Sequence, residues 1–194
     1  MSSIKIAIFV SGTGSNALKI ISHVQSSAFI EVGFVLTNNS NSEILVSAQQ
    51  QDVLTLAHSN AEVESGSFLV DLCAKHQIDY IVLAGFLRKI PAELIAAFPD
   101  KIINIHPALL PDFGGAGMYG MHVHRAVVEK QVKQTGITIH FVNEEYDRGR
   151  ILAQVRCLVL PTDTPEMVQA RVQRLEHAYF PTVIEQTILN ASHV

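Results

Sequence analysis

The stretch Ile4-Lys5-Ile6-Ala7-Ile8-Phe9-Val10-Ser11-Gly12-Thr13-Gly14-Ser15-Asn16 decides the fold. Its first seven residues are nearly continuous in apolarity and rich in Ile, as expected of a strand covered on both faces of a parallel sheet. A Gly- and Ser-rich turn follows, and then Ala17, Leu18, Ile20, Ile21 and Val24 recur at helical spacing to about Gln25. The cycle repeats downstream, with a strand over 30–37, a polar turn at 38–42, a helix through 43–51 and a short strand at 53–57. After a loop at 58–66, Phe68, Leu69, Leu72, Cys73 and His76 mark a helix leading into a strand at 80–84. A short helix at 93–98 and a buried strand at 102–105 complete the run. This rhythm predicts an α/β fold, a mostly parallel twisted sheet flanked by helices, with a Rossmann-like N-terminal half.

The second half changes character. Residues 113–120 carry Gly114, Gly115, Gly117 and Gly120, a composition that suits a mobile cover over a site. A helix is expected over 122–130, then strands at 136–142 and 151–160 that alternate and pair as an antiparallel hairpin. Thr164-Pro165-Glu166 starts a helix with proline in its first turn, and 167–189 is expected as one or two helices broken at Phe180-Pro181. With no linker, repeat or low-complexity segment, residues 1–194 read as a single domain.

The composition narrows the function. The 194 residues are 48% hydrophobic and 16% charged, which excludes disorder as the dominant state. The formal charge of −4 leaves no basic excess for a nucleic-acid backbone. The longest apolar runs, such as 4–10 and 80–84, fall far short of the ~20 residues a membrane helix needs. Met1-Ser2-Ser3-Ile4-Lys5 shows no export signal, and Cys73 and Cys157 stand apart without a Cys-x-x-Cys pairing. A cytoplasmic protein with two reduced thiols is expected.

Three motifs carry chemistry. Gly12, Thr13, Gly14, Ser15 and Asn16 lie between a strand and a helix, where converging backbone N–H groups and the helix end suit an anion such as phosphate. The third glycine of the dinucleotide fingerprint is absent there. In Ile102-Ile103-Asn104-Ile105-His106-Pro107, Asn104 and His106 project from one side of a buried strand's end, where open α/β sheets place ligands. The amide of Asn104 can serve a developing oxyanion, and His106 suits proton exchange near neutrality. In the third motif, Thr138 and His140 share a strand face and Asp147 sits in the following turn. Asp147 is either a carboxylate that orients an imidazole or an ordinary turn former before Gly149. His122-Val123-His124 lacks a third ligand at recognisable spacing, so it reads as a solvent-edge helix start, and no metal is expected.

Five segments occur in the order seen in the folate-dependent formyltransferase family, which the chain resembles over nearly its whole length. They are 11–16, 83–88, 104–111, Thr138-Ile139-His140 with Asp147-Arg148-Gly149, and 173–177. The resemblance implies the formyltransferase fold and transfer of the formyl group of 10-formyltetrahydrofolate to the amine of glycinamide ribonucleotide, a step of purine biosynthesis. It places the ribonucleotide's phosphate on Gly14, Ser15 and Asn16, Pro107 along the channel, Gln173 at the phosphoribosyl end and Glu176 on the ribose hydroxyls. Leu87, Arg88, Lys89 and Ile90, with Asn143, Glu144, Glu145, Tyr146 and Asp147, would enclose the pterin. The chain departs from many members at Arg150, where proline follows the Asp-x-Gly turn, and from some at Asp112 and Ala116, where a basic residue stands.

On this resemblance Asn104 and a protonated His106 would take the oxyanion. Asp147 would pair with the imidazolium and order a water that moves the proton from the amine to the leaving folate nitrogen, with His140 as a brace. The partners are then two small molecules, without nucleic acid or membrane, in a monomer or homodimer. Two alternatives stand beside it: a hydrolase or a formyltransferase acting on another amine at the same folate site, and a non-catalytic nucleotide-binding module.

Overall fold

The computed structural model describes residues 3–192; Met1 and Ser2, which enter the export-signal expectation, lie outside them. Seven strands form one mixed sheet: β1 (Ile4–Val10), β2 (Ile30–Thr37), β3 (Thr55–Ala57), β4 (Tyr80–Leu83), β5 (Ile102–His106), β6 (Gln134–Phe141) and β7 (Ile151–Leu158), in the order β3-β2-β1-β4-β5-β6-β7. The first five run parallel, whereas β6 is antiparallel to both β5 and β7. The expected doubly covered strand, β1, is therefore the middle of the five parallel strands. Its residues alternate between two cores, as the period of two in a strand requires. Ile6, Ile8 and Val10 pack on one face, Ala7 and Phe9 on the other.

The first core lies under α1 (Ser15–Val24) and α7 (Pro165–Ser192), whose apolar residues Ala17, Ile20, Val172 and Phe180 join it. The second lies under α4 (Gly66–Lys75) and α5 (Ala92–Ala97), through Leu69, Cys73 and Leu94. The remaining helices are α2 (Ile44–Gln49), α3 (Asn60–Val63) and α6 (Met121–Glu129). No helix among the described residues is long and apolar enough to cross a membrane.

Two expectations need correction. The loop expected at 58–66 contains α3, begun by a capping box in which Ser59 Oγ accepts from the Glu62 amide and the Glu62 carboxylate accepts from the Ser59 amide. The break expected at Phe180-Pro181 does not occur, because α7 runs continuously through Pro181. A proline removes one backbone donor, but Val168, Val172, Phe180, Ile184 and Ile188 form one buried face across the position, and that packing holds the helix together.

At the β6–β7 pair, Gly136 lies opposite Arg156, and a Cβ at 136 would overlap the Val155 backbone carbonyl. Backbone cannot yield as a flexible side chain can. Gly136→Ala is expected to cost about 1–3 kcal/mol by forcing β7 away from β6, read as a lower urea midpoint; an unchanged midpoint would show that the two strands separate freely.

Candidate functional site

The sheet register builds the site. Antiparallel pairing of β5 with β6 sets Asn104 opposite His140 and His106 opposite Thr138. Residues directly opposite project from the same face, as do residues two apart in a strand. Four side chains from two separate sequence motifs are thus neighbours.

Hydrogen bonds then fix their orientations. His140 Nδ1 lies 2.8 Å from the Phe141 carbonyl, which can only accept, so Nδ1 carries a proton. With that tautomer His140 Nε2 accepts from Asn104 Nδ2 at 3.1 Å, and the Asn104 amide keeps a second hydrogen for the cavity it lines. His106, only 4% exposed, donates from Nε2 to the Phe113 carbonyl at 2.7 Å. Its Nδ1 stands 3.5 Å from Asp147 Oδ2, while Asp147 Oδ1 is 3.6 Å from His140 Nε2. Asp147 Oδ2 also accepts from the Gly115 amide at 2.9 Å. Asp147 adopts φ +55°, an uncommon conformation that Asp tolerates better than most residues and that the turn after β6 holds.

Burial pushes the His106 imidazole below its ordinary pKa; the Asp147 charge and the Phe113 hydrogen bond oppose that without reversing it. Burial pushes the Asp147 carboxyl upward, but His140, His106 and the Gly115 amide outweigh it and hold the carboxyl below the usual value. With Nε2 already bonded to the Phe113 carbonyl, the expected oxyanion contact of His106 requires exchange of that partner. A buried ring N–H needs an acceptor, and the Phe113 carbonyl supplies one.

These groups line a cavity of about 370 Å³, within the range of small-ligand sites. It lies at the carboxyl ends of β4 and β5, next to the point where the strand order reverses between β1 and β4. Leu87, Arg88, Lys89 and Ile90 form one part of its wall, and Asn143, Glu144, Glu145 and Tyr146 face into it as well. Lys89 Nζ stands 5.7 Å from the Tyr146 ring centre, so the two segments meet. Asn16, Pro107, Gln173 and Glu176 also contribute to the wall. Asn16 Nδ2 donates to Glu176 Oε2 at 2.8 Å; burial raises the Glu176 pKa, and the Asn16 bond opposes it.

Some expected residues stand outside the wall. Gly12, Thr13, Gly14 and Ser15 lie behind Asn16 at the start of α1, where Ser15 Oγ meets Gln173 Nε2 at 3.3 Å and His177 Nε2 at 3.2 Å. Gly14 has φ +80°, and a Cβ there would come within 2.7 Å of Ile44. Thr138 is fully buried beneath the Pro107 loop; its hydroxyl donates to the Ala108 carbonyl at 2.7 Å and accepts from the Leu110 amide at 2.9 Å. Of the three departures, Ala116 lines the cavity, while the Arg150 guanidinium stacks over Phe141 at 4.5 Å.

His124 corrects the solvent-edge expectation. His122 is exposed beside Tyr119, but His124 is 3% exposed and lines the cavity, because it shares the inner face of α6 with Val127. Met118 and Tyr119 belong to the 113–120 segment expected beside a site and do line it, whereas Gln169 and Val172 are wall residues that the motifs did not mark. The apolar spacing of α7 pointed to a buried face at Val172 without showing what lay beside it.

A family model described as formyl transferase matches residues 4–184. The chain is 45% identical over 186 residues to the chloroplastic phosphoribosylglycinamide formyltransferase of Arabidopsis thaliana, covering 93% of this chain and 64% of that protein. It thus spans less than two thirds of that relative's length. It is 31% identical over 189 residues to the phosphoribosylglycinamide formyltransferase of Bacillus subtilis, covering 95% of this chain and 94% of the relative. The crystal structure of the phosphoribosylglycinamide formyltransferase from Streptococcus pneumoniae TIGR4 superposes with a TM-score of 0.84 at 35% identity, covering 95% of this chain and 99% of the other.

Proposed function

Because the chain belongs to the formyl transferase family, we propose that it transfers the formyl group of 10-formyltetrahydrofolate to the amino group of glycinamide ribonucleotide. The observation that carries this reading is the meeting of Asn104, His106, His140 and Asp147 through contacts of 3.1–3.6 Å in the wall of one cavity.

A neutral amine attacks the formyl carbon, so negative charge grows on the formyl oxygen while the nitrogen becomes positive. The Asn104 amide, oriented by His140, is a preformed donor for that oxygen and need not reorganise during reaction. His106 joins it by exchanging the Phe113 carbonyl for the formyl oxygen as the partner of Nε2. Asp147 then faces the ring's other nitrogen and stabilises the proton-bearing form as the amine's proton moves toward the folate nitrogen. The segments 87–90 and 143–146 would hold the pterin. Asn16, Gln173 and Glu176 would hold the ribonucleotide, with its phosphate toward the start of α1. The cytoplasmic location belongs to the same proposal and fits two free thiols, Cys73 and Cys157.

The test is to mix the protein with 10-formyltetrahydrofolate, with and without glycinamide ribonucleotide, and follow folate absorbance. Turnover that depends on the ribonucleotide is expected. Deformylation without it would favour a hydrolase, and saturable binding without turnover a nucleotide-binding module.

A further inference from the structure

His124 is a cavity-wall side chain to which the proposed transfer assigns nothing. It lies in the first turn of α6, 3% exposed, with Nδ1 sealed from solvent and without a hydrogen-bond partner. A sealed Nδ1 does not meet a ligand, so Nε2 is the ring atom that a molecule in the cavity can reach. Burial, with a smaller contribution from nearby His106, lowers the pKa of the ring to about 4, so the imidazole is neutral near pH 7. A neutral imidazole presents one N–H and one lone pair, a match for an uncharged polar group rather than an anion.

The position in the fold says which ligand group that is. One side of the cavity is built by 87–90 and 143–146. Elsewhere its wall comes from α1 and α7, through Asn16, Gln169, Gln173 and Glu176. Helix α6 packs against α7, so His124 belongs with the α1–α7 wall, on the same cavity as His106. On the reading above, that wall receives the ribonucleotide, with its amine at His106 and its phosphate toward α1. Between amine and ribose lies an amide, which is neutral and carries one acceptor and one donor.

We propose that His124 is a specificity-determining contact for the amine substrate, its neutral ring hydrogen-bonding the amide that links the reacting amine to the ribose. The inference rests on the formyl-transfer reading. It adds a reason for the site to select an amine carrying a neighbouring amide over a bare amine.

Steady-state kinetics of His124→Leu and His124→Gln, with each substrate varied in turn, test it. Leu removes the polar atoms; Gln returns an amide close to the position of Nε2. His124→Leu is expected to raise KM for glycinamide ribonucleotide about 10-fold, leave KM for 10-formyltetrahydrofolate unchanged, and be largely rescued by Gln. Circular dichroism checks the fold. Should the Leu variant fail to fold, His124→Asn, whose amide stops short at the Nδ1 position, takes its place with the same expected change. If both KM values rise together, if neither moves, or if Gln gives no rescue, the ring is packing and the proposal is overturned, while wild-type turnover still supports formyl transfer. If wild type forms no formylated ribonucleotide, the functional reading falls and this inference falls with it.

Discussion

Asn104→Ala is expected to lower kcat by about 100- to 1,000-fold, the usual loss when one preorganised oxyanion donor is removed. The reason is local. Asn104 is held from behind by His140, itself fixed by the Phe141 carbonyl at 2.8 Å, so the amide hydrogen facing the cavity is already aimed before substrate arrives. Alanine removes the donor and leaves His140 Nε2 without its 3.1 Å partner, at a stability cost of about 1 kcal/mol for a part-buried hydrogen bond. Activity and fold should therefore separate: kcat collapses, KM for either substrate changes little, and the thermal midpoint falls by only a few degrees. Near-normal turnover would remove Asn104 from the reaction.

How far the site was legible in the sequence follows from which contacts are local. The strand at 4–10 was readable because a doubly buried parallel strand leaves an unbroken apolar run, and β1 spans Ile4–Val10. Asn104 and His106 were readable as a pair because two residues apart in a strand share a face. Their meeting with His140 and Asp147 was legible only through the family resemblance and not from spacing, since the β5–β6 register depends on pairing between segments more than thirty residues apart. The capping box of α3, Ser59-Asn60-Ala61-Glu62, is a helix-start signal that the loop expected at 58–66 passed over, because the helix it begins is a single turn. The burial of His124 had only a weak trace. Val123 and Val127 are four apart on α6, and His124 falls within the same buried arc, but its histidine neighbour at 122 drew the segment toward solvent. Pro181 misled because a local breaker was weighed without the packing that spans it.

Asp147→Asn is expected to reduce kcat by about 10²- to 10⁴-fold, the scale known for neutralising a buried carboxylate that orients a catalytic imidazole. Asparagine is the informative replacement because it keeps the shape and tolerates the φ of +55° that most residues resist. Its side-chain oxygen can still accept from the Gly115 amide, now 2.9 Å from Oδ2, so the turn survives. What disappears is the charge that faces His106 at 3.5 Å. Burial already disfavours the protonated ring, and Asp147 is the leading influence against it; without it the imidazole is a poorer proton carrier as the transfer proceeds. Stability carries a second signature. The folded Asp147 carboxyl lies below its usual pKa, so its contribution is present above the unfolded value of about 4 and is lost as pH falls through the lower folded value. Thermal midpoints of wild type and Asp147→Asn should differ near neutrality and converge in stronger acid, while the kcat defect at neutral pH far exceeds what the stability difference explains. A variant whose activity declines only in step with its thermal midpoint would make Asp147 a turn former and nothing more.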